Sequence, residues 1–104
     1  MEVKFLNCGE VRMGSPYNIC DLELQGDWVP ELPEEDWQDL TATSPDGGYV
    51  ALVAWDVKPD NTPAFKMYKI DLWGKSFVKS KPIEDCCQKV FWDESFEDFS
   101  CERL

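Results

Sequence analysis

The chain contains no histidine. That removes the side chain that most often acts as a general base near neutral pH, and also the commonest metal ligand. Histidine-dependent triads and zinc sites are excluded with it. Basic residues are scarce, with 10 Lys+Arg against 21 Asp+Glu and a formal net charge of −11. A surface of that sign repels phosphate backbones, so no nucleic-acid binding is expected. No apolar run approaches the roughly 20 residues that a membrane-spanning helix needs. The opening Met1-Glu2-Val3-Lys4-Phe5-Leu6-Asn7 lacks the basic leader and apolar stretch of a secretion signal, and no membrane association is expected. The five cysteines, Cys8, Cys20, Cys86, Cys87 and Cys101, include no Cys-x-x-Cys pair for a metal. Their odd number and the adjacent Cys86-Cys87 suit reduced, buried thiols better than a disulfide framework, which points to the cytoplasm.

What is present is enough apolar material for a core. Of 104 residues 43% are hydrophobic, as expected of one globular domain over 1–104. Charge is unevenly spread along it. Residues 1–46 hold 11 acids and 2 bases, residues 47–83 hold 3 and 6, and residues 84–104 hold 7 and 2.

The mildly basic middle has the clearest structural signal. Ser44-Pro45-Asp46-Gly47-Gly48 is turn chemistry, and Tyr49 to Trp55 follows as an apolar run suited to a strand buried on both faces. After the breakers of Lys58 to Pro63, Phe65 to Trp73 reads as the returning strand. Alternation puts Phe65 and Met67 on one face and Tyr68, Ile70 and Leu72 on the other, with a bulge expected near Lys66 and Lys69. Gly74-Lys75 turns the chain into Phe77 to Ser80, and Cys87 to Trp92 reads as a further strand. The expected fold is mainly β, an antiparallel meander of about five to six strands.

The run from Ser44-Pro45-Asp46-Gly47 through Tyr49-Val50-Ala51, Tyr68-Lys69-Ile70-Asp71-Leu72 and Phe91-Trp92-Asp93 resembles one blade of a TolB-type β-propeller. The resemblance covers about half the chain and implies a four-stranded, blade-like meander. It brings no catalytic residue. A closed propeller needs several blades, for which this length has no room.

The N-terminal third offers candidate strands at Val3–Leu6 and Tyr17–Leu24, separated by breaker-rich Asn7 to Pro16. A short helical turn is expected near 33–40. Pro33 suits its first position, Glu34, Glu35 and Asp36 its positive end, and Trp37 and Leu40 would face the sheet together.

The same segment contains the strongest candidate site. Asp27, Glu31, Glu34, Glu35, Asp36 and Asp39 surround Trp28 and Trp37. Clustered carboxylates steer a basic partner, and aromatics anchor it once docked, although a solvated connector would look alike. The tail repeats the mixture in Asp93-Glu94-Ser95-Phe96-Glu97-Asp98-Phe99, and both acidic elements on one side would make a single negative face. Lys66, Lys69, Lys75, Lys79 and Lys81 read as edge-strand gatekeepers, or as contacts to the acidic flank of a second copy.

Catalytic and cofactor motifs are absent. Asp56 to Asn61 departs from the EF-hand pattern, Gly47-Gly48 is no phosphate loop, and a cysteine nucleophile would lack its usual base. The expectation is a non-enzymatic, acidic cytoplasmic protein without cofactor that blocks a basic protein partner, as immunity proteins and charge-mimicking inhibitors do. The alternative is a structural β-protein assembling with copies of itself, its acids serving solubility.

Overall fold

A computed structural model describes residues 1–10 and 17–103. Their regular structure is all strand: β1 (Glu2–Glu10), β2 (Asn18–Gln25), β3 (Trp37–Thr43), β4 (Tyr49–Trp55), β5 (Ala64–Asp71), β6 (Ser76–Lys79), β7 (Ile83–Glu84), β8 (Cys87–Asp93) and β9 (Asp98–Arg103). The first six pair antiparallel in chain order, β7 adds to β5, and β8–β9 form a separate hairpin. The fold is thus mainly β, an antiparallel meander with a small second sheet.

β4 has both faces buried because it separates two cores. Val50, Leu52 and Ala54 point to one side, where they meet Trp37, Tyr68 and Ile70. Ala51 and Val53 point to the other, among Phe65, Cys87, Val90 and Phe99. The β1–β2 hairpin contributes Val3, Phe5, Leu22 and Leu24 to the first core, and β8–β9 covers the second. β5 alternates as its sequence indicates, and its register with β4 is unbroken from Tyr49↔Asp71 to Trp55↔Phe65. No bulge therefore interrupts it at Lys66 or Lys69.

The turn into β4 is built as its residues dictate. Asp46 Oδ1 accepts from Ser44 Oγ at 2.7 Å and from the Gly48 N–H at 2.9 Å, while Gly47 takes a φ of 76°. That left-handed conformation favours glycine because it has no Cβ to clash. Those two hydrogen bonds hold the Asp46 carboxyl below its ordinary range, the one from Ser44 most strongly.

Three expectations are corrected. The helical turn near 33–40 is not formed: residues 28–36 run irregularly, and Trp37 begins β3. A helix would put Trp37 and Leu40 on one face, but as a strand the segment supplies Trp37 to the first core and Leu40 to the second. The strand at Cys87 leaves the meander and pairs with β9. The cysteines are not all reduced, because Cys8 and Cys20 form a disulfide. Asn7, with a φ of 53°, makes an irregularity between Leu6 and Gly9 that sets Asn7 and Cys8 against Cys20 across the hairpin.

Candidate functional site

The acidic segment forms one wall of a cleft of about 690 Å³. β2 supplies the opposite wall. β3 registers with β2 at a single position, Cys20↔Trp37, so from Asp21 to Gln25 β2 is laddered to β1 alone. The connector stands across the opening. Pro30 and Pro33 in it have no N–H to donate, so it is poorly equipped to extend the ladder. Trp55 lies at the cleft and donates its indole N–H to the Asn18 carbonyl at 3.0 Å.

Cleft chemistry divides by depth. Leu22, Leu24, Leu32 and the buried Trp37 supply apolar surface, while Asp21, Glu34 and Asp36 are exposed at the rim. No lysine or arginine among the described residues lines it. Asp21 accepts a hydrogen bond from Asn7 Nδ2 at 2.9 Å.

Glu35 behaves differently from its neighbours. It turns inward, where Lys66 Nζ approaches its carboxylate to 2.7 Å and the Tyr68 hydroxyl donates a short hydrogen bond to the same oxygen. Burial pushes the Glu35 carboxyl up, but the hydrogen bonds from Lys66 and Tyr68 outweigh it and hold the group below its ordinary range. Burial, with the acceptor carboxylate, raises the Tyr68 phenol. This bonded group ties the connector to β5 and so sets the position of the cleft wall.

The predicted site residues therefore separate. Glu34, Glu35, Asp36 and Trp37 line the cleft, but Trp37 is 4% exposed and its ring meets that of Tyr68 at a tilt, centroids 5.1 Å apart, which makes it a core residue and not an anchor for a partner. Trp28 is half-buried against the first core, with Asp27 and Glu31 exposed near it in sequence. Asp39 lies in β3, where it accepts from Asn18 Nδ2 at 3.0 Å. Sequence reasoning missed Asp21, Leu22, Leu24 and Trp55. The alternation Asp21-Leu22-Glu23-Leu24 marks a strand with one wet face, but nothing in it says that this strand faces the connector.

The tail does not extend the negative surface. The connector packs on the first core and the β8–β9 hairpin on the second, so the two acidic elements lie over different faces of the sheet. Phe99 is buried, while Phe96 is exposed in the hairpin turn. Two of the supposed gatekeepers are also reassigned. Lys66 and Lys69 lie on β5 inside the sheet, and Lys69 bonds Asp98 at 2.9 Å with its ammonium over the Tyr49 ring. Cys86, Cys87 and Cys101 are thiols outside the disulfide. Burial pushes Cys87 up to about 12, which makes it a poor nucleophile at neutral pH.

No helix among the described residues is long and apolar enough to cross a membrane. Comparison of the chain with protein-family models, with curated proteins and with solved structures finds no match.

Proposed function

We propose that this is a small acidic binding protein that holds and shields a basic protein partner, in the manner of an immunity protein or inhibitor. The observation that carries the reading is the cleft: carboxylates of Asp21, Glu34 and Asp36 stand over apolar surface, and among the described residues no lining cation neutralises them. Such an arrangement attracts a positive segment by charge and retains it by burying apolar surface. Trp28 keeps a place in the proposal as a half-buried aromatic on the connector, and Trp37 acts only by holding the cleft wall.

The cytoplasmic expectation rests on the lack of a secretion-signal pattern and on reduced thiols. With Cys8 and Cys20 joined, the second reason falls away, and a disulfide persists best in oxidising surroundings. The proposal is accordingly a binding function without a fixed compartment.

The test is binding of an arginine-rich peptide, measured by calorimetry over a range of salt. Replacing the rim acids together (Asp21→Asn, Glu34→Gln, Asp36→Asn) should weaken binding and flatten its salt dependence. Unchanged affinity in that variant would remove the cleft from the reading. A second reading, assembly with copies of itself, is favoured by the open edges of the sheet at β1 and β6. A concentration-independent mass of 12.0 kDa in light scattering would refute that reading.

A further inference from the structure

We infer that the partner's basic segment enters the cleft as an extended strand and adds to the open edge of β2. This inference rests on the proposed capture of a basic partner and specifies how the segment is held. Its first ground is the ladder. Asp21 to Gln25 pair with β1 from Leu6 to Glu2, while pairing with β3 has already ended at Cys20. Backbone N–H and C=O groups of alternate residues in that stretch therefore point away from β1, toward the cleft side. A strand edge of this kind is a template for another extended backbone.

The second ground is the facing wall. Pro30 and Pro33 have no backbone N–H, so the connector facing β2 across the cleft is short of donors with which to pair that edge itself. The cleft, at about 690 Å³, falls in the range of roughly 300–1,000 Å³ typical of ligand-holding sites. The third ground is charge. Of the sheet's two outer edges, the one at β6 carries Lys79 with Lys75 and Lys81 close in sequence and repels a basic strand, and the one at β1 supplies no described residue to the cleft lining. The β2 edge instead presents Asp21, with Glu34 and Asp36 across from it. Successive side chains of a strand alternate between faces. An incoming segment that alternates Lys or Arg with small apolar residues can meet the rim carboxylates with one set and Leu22 and Leu24 with the other.

The test uses the full chain and a short blocked peptide alternating lysine and valine. Two further versions are N-methylated on the backbone, one at every lysine and one at every valine, which removes hydrogen-bond donors from one edge or the other without changing charge. Strand addition predicts that one methylated version loses about tenfold or more in affinity while the other keeps it, because only one edge pairs with β2. It also predicts slowed amide exchange within Asp21–Gln25 on binding the parent peptide. Equal affinity of all three peptides overturns strand addition and leaves capture by charge standing. Equal loss from both methylated versions also overturns it, since bulk and not pairing would then decide. If the parent peptide does not bind at all, capture of basic segments fails as well. A chain that dimerises through this cleft without peptide would place a second copy there and overturn the inference.

Discussion

Glu35 is the residue whose removal tests the architecture of the cleft most directly. Its carboxylate is held by Lys66 Nζ at 2.7 Å and by the Tyr68 hydroxyl, with only 13% of the Glu35 side chain and 15% of that of Lys66 exposed. Cutting one partner from a fully buried ion pair costs about 3–5 kcal/mol, because the other charge is left without compensation. This pair retains some contact with water, which screens part of the loss. The Tyr68 hydroxyl loses its acceptor at the same time, a further cost that overlaps the first. Glu35→Ala should therefore destabilise the chain by about 2–4 kcal/mol in urea unfolding. Glu35→Gln keeps the shape and one acceptor oxygen and should cost about 1–2 kcal/mol. Joint replacement by Glu35→Leu and Lys66→Met removes both charges and should recover much of the loss, giving a coupling energy of about 1–3 kcal/mol in the double-mutant cycle. The pH dependence has a definite sign. Folding lowers the Glu35 pKa from its ordinary 4.5, so the native state holds fewer protons there than the unfolded chain. The resulting stability is complete above that value and is lost as the pH falls through the lowered one. Glu35→Gln should abolish this part of the acid sensitivity. Strict additivity of the two single substitutions, or an unchanged acid limb in Glu35→Gln, would refute the reasoning.

Three other outcomes follow from the same structure. Opening the Cys8–Cys20 disulfide, which spans 12 residues of sequence, should cost about 3 kcal/mol by the loop-closure argument and lower the melting temperature in reductant; the Cys8→Ala variant should melt at the same temperature with or without it. Gly47→Ala places a Cβ in the left-handed conformation of the Ser44–Tyr49 turn and should destabilise by about 1–2 kcal/mol in denaturant unfolding, whereas Glu97→Gly relieves a φ of 49° and should stabilise. Burial and the Glu35 carboxylate raise the Tyr68 pKa above its ordinary 10.0, so the unfolded chain ionises first; this contribution to stability falls as the pH rises past that value, and Tyr68→Phe should flatten the alkaline limb of a pH–stability curve.

Much of the sheet is legible in local sequence. The Ser-Pro-Asp-Gly-Gly turn, the two-sided apolar run of β4 and the alternation in β5 depend on residues within one or two strands of each other. Local steric and periodic rules suffice for them. The connector shows where such rules stop. Trp37 and Leu40 have a spacing compatible with one helical face, and Pro33 with its acids resembles a helix start, yet the segment enters a strand. Two cores on opposite sides of the sheet require β3 to present Trp37 to one and Leu40 to the other. The lysines illustrate the same limit. Lys66 and Lys69 look like surface charges until Glu35 and Asp98 are brought to them from 31 and 29 residues away in the chain.

The amino-acid sequence alone determined the acidic balance, the absence of histidine chemistry, the β character and the principal turns, since each is a property of residue types and their near neighbours. Only the tertiary structure decided that Trp37 is core, that Cys8 meets Cys20, and that the acids divide between a cleft and other parts of the surface. Those outcomes depend on which strands lie side by side and on where the β2–β3 ladder ends. Pairing of that kind is settled by the joint burial of two apolar faces, through contacts between residues far apart in the chain.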